Sequence, residues 1–126
     1  MKMRNHQNKM MKHKSYNMTV TKEITDWGII YYYKNEYCRF ALYAYNDDKY
    51  TMYLSNVKVE ESARGHGIGN KILELADKEA KKYNYGVICL KVIKSSWVHD
   101  WYAKHGYKDF CYDEDTNHVW MKHNLY

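Results

Sequence analysis

The strongest constraint on the fold is a change of period around three glycines spaced two apart, Gly65, Gly67 and Gly69. Before them, Tyr50 to Val59 alternates in the manner of a strand, with Met52 and Leu54 expected on one face and Tyr53, Val57 and Val59 on the other. After them, Ile68, Ile72, Leu73, Leu75, Ala76, Ala80 and Tyr83 recur at helical spacing. The three glycines therefore mark a tight loop between a strand and a helix. The first amides of such a helix have no intrahelical acceptor. Together with the helix dipole they make an anion site suited to phosphate, and Arg64 adds a fixed positive charge.

The other elements fall into place around this junction. Met18 to Ile24, Ile29 to Tyr33 and Tyr37 to Tyr45 read as strands separated by turns at Asp26-Trp27-Gly28 and Lys34-Asn35, with Asn46-Asp47-Asp48 turning into the fourth. Gly86 is placed as the cap of the long helix. The nearly continuous apolar run Val87 to Ile93 suits a strand buried on both faces. Ser95 or Ser96 caps a second helix running to about His105, and Gly106 stops it. Tyr107 to Tyr112 and His118 to His123 are two further strands about an acidic turn. The order is an antiparallel meander followed by strand–helix–strand–helix–strand. It predicts an α+β (α/β) domain with a mixed, mostly antiparallel sheet of about six to seven strands, flanking helices and one crossover that makes a parallel pair.

Composition sets limits. The 126 residues amount to one domain, and 17% aromatics, with 15 tyrosines, oppose disorder. The formal charge of +5 resides in residues 1–16, which hold Lys2, Arg4, Lys9, Lys12 and Lys14 and no acid; the rest carries 15 basic and 15 acidic residues. The expected organisation is a basic flexible tail, 1–16, and a single domain, 17–126. The tail reads as a solvated terminus, with contact to nucleic acid or an acidic partner as the alternative. No apolar run approaches the roughly 20 residues that cross a bilayer, and Cys38, Cys89 and Cys111 form no CxxC pair. A reduced, cytoplasmic protein with no membrane partner is expected.

Several phosphate loops can be compared with residues 64–70. Gly69-Asn70 is not the Gly-Lys-Ser/Thr of a P-loop, and the third glycine of GxGxxG would fall on Asn70. Arg64-x-x-Gly67-x-Gly69 instead resembles the coenzyme A pyrophosphate loop of GNAT acetyltransferases, Gln/Arg-x-x-Gly-x-Gly/Ala, which likewise follows the fourth core strand and opens the long helix. Trp101-Tyr102-Ala103-Lys104-His105-Gly106-Tyr107 is similar to that family's aromatic-Tyr-Glu-Lys-x-Gly-Phe segment. The resemblance covers about residues 29 to 123.

The resemblance implies a fourth and fifth strand that run parallel and splay apart around the pantetheine arm of acetyl-coenzyme A. It implies backbone contacts from Val57 and Val59. It places the pyrophosphate on Gly65, His66, Gly67, Ile68, Gly69 and Asn70, with Arg64 contributing charge and loop geometry. It makes Tyr102 the acid that protonates the leaving thiolate, with packing against the sheet as that side chain's other reading. Acetyl-coenzyme A would be the co-substrate, with no metal. The implied activity is N-acetyl transfer to a primary amine, possible acceptors being a protein lysine or N-terminus; polyamine or aminoglycoside acetylation and non-catalytic acyl-coenzyme A binding are the alternatives. A homodimer is left open.

The general base is not evident. The fourth strand holds no carboxylate, the fifth carries Lys91 where some relatives have glutamate, and Ser95 stands where an asparagine is frequent. Glu60, Glu61, His99, Asp100 and an ordered water are the candidates, with a water relay favoured. His99, His105 and Cys111 lack metal-ligand spacing. Trp97, Trp101 and Trp120 are expected mainly to pack in the core, with an acceptor pocket as the other reading. The short N-terminal half predicts an open acceptor side.

Overall fold

The computed structural model describes residues 17–126; the expected basic tail, 1–16, lies outside the described residues. Seven strands form one sheet: β1 (Thr19–Ile24), β2 (Gly28–Lys34), β3 (Cys38–Tyr45), β4 (Thr51–Val59), β5 (Val87–Ile93), β6 (Lys108–Asp113) and β7 (His118–Asn124). Two helices, α1 (Ile68–Lys82) and α2 (Trp97–Lys104), follow β4 and β5. The sheet order is β1-β2-β3-β4-β5-β7-β6, antiparallel throughout except for the β4–β5 pair. The α+β architecture, strand number and parallel pair agree with the sequence reading.

Both helices cover the same face of the sheet. Ile72, Leu73, Ala76 and Ala80 of α1 and Tyr102 of α2 join one core with Tyr33, Phe40, Leu42, Met52, Leu54, Ile88, Leu90, Val119 and Met121. Burying such side chains is worth about 1.5–3 kcal/mol each. Within this core the Tyr33 hydroxyl donates to Glu79 Oε1 on α1 at 3.0 Å, and Glu79 is only 8% exposed. The opposite face carries Tyr43, Tyr45, Tyr53 and Trp120, and no helix among the described residues covers it. Tyr45 meets Tyr53 edge-on at 5.2 Å and Tyr53 meets Trp120 at 6.0 Å, forming a row across four strands.

Two local expectations are corrected. Uniform alternation put Val57 and Val59 opposite Met52 and Leu54. The register between β3 and β4 shifts instead, from Ala41↔Ser55 to Arg39↔Lys58, and Asn56 takes φ 56°. This bulge inserts one extra residue and reverses the phase. Val59 therefore pairs with buried Cys38, on the same face as Leu54. The second correction concerns the end of α1. Asn84, at φ 68°, takes the left-handed position after the helix, a role asparagine tolerates. Gly86 is needed for room, since a Cβ there would lie 2.5 Å from the Tyr50 ring.

β4 and β5 pair only through Thr51↔Val87, Met52↔Ile88 and Tyr53↔Cys89. Beyond Tyr53 the two strands part, and the candidate site lies in that opening.

Candidate functional site

The loop after β4 begins with a 3-10 turn, Glu61–Ala63. Arg64 Nε then donates to the Val59 carbonyl at 3.1 Å and ties the loop back to its strand. Gly65 and Gly67 have φ of 85° and 76°, and a Cβ on either would meet nothing within 4 Å. Their requirement is conformational. Gly67 is the N-cap of α1 and offers no side-chain cap, and the first turn holds no acid. The amides from Gly65 to Asn70 consequently donate to no protein acceptor among the described residues; the first backbone bond of the helix is Lys71 N–H to the Gly67 carbonyl. Six successive free donors at a helix N-terminus make a cradle for an anion.

Gly69 serves a different purpose. A Cβ there would lie 2.9 Å from Cζ2 of Trp101, so this glycine lets α1 and α2 approach. His105 reinforces the contact: its Nδ1 donates to the Trp101 carbonyl at 2.8 Å, and its Nε2 lies 2.7 Å from Asn70 Oδ1.

α2 starts where Ser96 Oγ accepts from His99 N–H at 3.3 Å. It carries Tyr102, 5% exposed, between Trp101 and Tyr107 with ring centroids 5.0 and 5.4 Å away. Burial pushes the Tyr102 phenol up to about 12, so it stays protonated across the range in which enzymes work.

Two cavities meet at this tyrosine. One, of about 550 Å³, is lined by Val57, Val59, Arg64, Gly65, Gly67, Ile68, Gly69 and Asn70, and closed by Trp97, Val98, Trp101 and Tyr102. The other, of about 470 Å³, shares Val57, Val98 and Tyr102 with the first and continues to Tyr43, Tyr45, Tyr53, Lys91 and Trp120. Its walls come from both faces of the sheet, so it passes through the gap between β4 and β5.

All the residues expected to hold the cofactor except His66 line the first cavity. Among the described residues no carboxylate or imidazole lines either cavity. Glu60 caps and Glu61 begins the 3-10 turn, and neither lines a cavity. His99 has Nδ1 3.2 Å from Asp100 and Nε2 2.8 Å from Asp109. The Asp109 hydrogen bond raises the pKa of His99 against a smaller desolvation, which favours imidazolium and disfavours action as a base. Asp109 is desolvated, but hydrogen bonds from His99 and Lys94 outweigh that and hold it below the ordinary carboxylate value. Among the described residues no group of three or more His, Cys, Asp and Glu converges as a metal site.

Trp97 and Trp120 depart from the expected core packing, and Trp101 meets it. Trp97 is 75% exposed, Trp120 is half-buried on the uncovered face, and Trp101 packs at the edge of the core; each lines a cavity. Sequence reasoning missed Tyr43, Tyr45, Tyr53 and Val98 as wall residues. The available signal was the aromatic pair at alternate positions of β3, next to the strand that leads to the loop.

Comparison with known proteins follows the same geometry. A family model described as acetyltransferase (GNAT) domain matches residues 26–109, two thirds of the chain. Among solved structures, a Klebsiella pneumoniae protein assigned as an acyl-CoA N-acyltransferase is similar at TM-score 0.65 and 17% identity, covering 86% of this chain and 98% of that one. A GNAT family acetyltransferase from Elizabethkingia anophelis with acetyl-CoA bound is similar at TM-score 0.63 and 19% identity, over 77% and 76% of the two chains. An IAA acetyltransferase from Bacillus cereus matches at TM-score 0.61 and 23% identity, over 77% of each. No curated protein matches the sequence.

Proposed function

The chain belongs to the GNAT acetyltransferase family, and on that premise we propose that it transfers an acetyl group from acetyl-coenzyme A to a primary amine. The run of free amides from Gly65 to Asn70 is the observation that carries this reading.

The residues fit the co-substrate. The six amides and the Arg64 guanidinium would hold the pyrophosphate, in a loop whose turns depend on the positive φ of Gly65 and Gly67. Beyond Tyr53, β4 has no partner on its β5 side, so its edge from Val57 onward is free to bind an extended amide-bearing arm. The Val59 carbonyl accepts from Arg64 and so also fixes the loop. Bound there, acetyl-coenzyme A supplies the activated thioester. Tyr102, at the junction of the cavities, donates its proton toward the leaving sulfur. Because neither cavity holds a carboxylate or imidazole among the described residues, the proton of the attacking amine passes to water. The amine approaches through the second cavity, from the uncovered face.

The test is binding and turnover measured together. Acetyl-coenzyme A at 100 times its Kd should raise stability by about 2.7 kcal/mol. Coenzyme A release should depend on an added amine, after correction for the protein's three thiols. No stabilisation would refute the reading; stabilisation without turnover across a broad amine panel would make the chain a non-catalytic binder.

A further inference from the structure

The cavity on the acceptor side has a composition that selects among amines. Among the described residues its only charged side chain is Lys91. Lys91, exposed at its position on β5, has its Nζ 5.6 Å from the centre of the Trp120 ring, and it has no carboxylate partner among the described residues. Tyr43, Tyr45, Tyr53 and Trp120 form the surrounding wall, and Ser55 and Asn56 add neutral polar groups. The volume, about 470 Å³, lies within the roughly 300–1,000 Å³ of small-molecule sites.

We infer that the acceptor is a small amine with an aromatic body and a carboxylate, of which an aromatic amino acid is the simplest example. This rests on the acetyl-transfer reading above and names the substrate class of the same site. A polycation such as spermidine or an aminoglycoside needs carboxylates to replace its hydration, and this cavity offers none while presenting a like charge. The aromatic wall favours a flat ring, for which edge-to-face and offset contacts are available. A cation over an indole with no acid beside it is free to pair with an anion from solution, and a carboxylate there would be held by a charge-assisted hydrogen bond. The amine end then points along the cavity to the wall shared with Tyr102.

The experiment compares tryptophan with tryptamine, which differ by the carboxylate, and adds spermidine and a lysine peptide. In the wild-type protein kcat/KM for tryptophan should exceed that for tryptamine by at least tenfold. Lys91→Ala should bring the ratio near one, mainly through KM, and Lys91→Glu should invert it. Equilibrium binding of N-acetyltryptophan and N-acetyltryptamine in the presence of coenzyme A gives the same comparison without turnover. A preference for tryptamine, spermidine or the peptide in the wild type overturns the inference, as does a ratio indifferent to Lys91 or failure of both products to bind. Stabilisation by acetyl-coenzyme A, measured on the same sample, separates these outcomes from failure of the acetyl-transfer reading itself.

Discussion

Replacing Tyr102 by Phe isolates one oxygen atom at the meeting point of two cavities. A phenol ordinarily titrates near 10, and burial lifts this one to about 12, a penalty on the phenolate of about 3 kcal/mol. A free thiol titrates near 8.5, so complete transfer from Tyr102 to an exposed thiolate would be uphill by about 5 kcal/mol. The leaving sulfur meets the same dry wall, which raises its proton affinity too and narrows that gap. Tyr102 is thus suited to share its proton in the transition state. Positioned acids of this kind contribute about 10²–10⁴-fold, or about 3–5 kcal/mol of barrier. The hydroxyl has no hydrogen bond to lose among the described residues, so Tyr102→Phe should change stability by less than about 0.5 kcal/mol. Coenzyme A release should fall by two to four decades in kcat while the KM for acetyl-coenzyme A holds. The wild-type pH–rate profile should show no falling limb from this group at pH 10, where an ordinary tyrosine would be half ionised. A variant that keeps more than a third of wild-type kcat, with an unchanged unfolding midpoint, would refute the acid role.

Three further outcomes are expected. Gly67→Ala forces an L side chain to φ 76° and should cost about 1–2 kcal/mol; the urea midpoint should fall and acetyl-coenzyme A titration should weaken as the amide run turns away. Glu79→Ala strands the buried Tyr33 hydroxyl and should cost about 1–3 kcal/mol or more, whereas Glu79→Gln, which keeps an acceptor, should lose less. Asp109→Asn tests the His99 pair. The raised His99 value makes its contribution complete below the unfolded pKa near 6.5 and lost as pH rises through the folded value. The lowered Asp109 value makes its own contribution complete above about 4. Urea unfolding should therefore show a larger loss at pH 5.5 than at pH 9, and the opposite order would show that the pair does not stabilise the fold through charge.

Much of this was legible because distinct physical signals coincided. The strand–glycine–helix junction was visible as a change of period, and Tyr102 came from a seven-residue segment containing a glycine that does take positive φ, Gly106 at 95°. The phase reversal at Asn56 was not legible. A bulge leaves no mark in composition, and Asn56 differs from other asparagines only through its neighbours on β3. Trp97 and Trp120 were misjudged for a related reason. Apolar character predicts burial against something, but which face of the sheet lacks helices is decided by the connections between elements. The same ambiguity hid Tyr43, Tyr45 and Tyr53, which read as ordinary strand aromatics until the opening between β4 and β5 placed them at one end of a passage. His99 looked available as a base until Asp109, ten residues on, was seen to occupy its second nitrogen.

The offset at Asn56 also divides the labour along one strand. Residues 51–55 keep step with β3, while residues 57–59 run half a pleat out of step and place Val57 and Val59 toward the helices. Deleting Asn56 would set Val57 opposite Phe40 and leave Lys58 opposite Arg39, so both valines would keep the face they have now. Asn56 is thus the spacer that lets Leu54 and the two valines share one wall although an odd number of steps separates them.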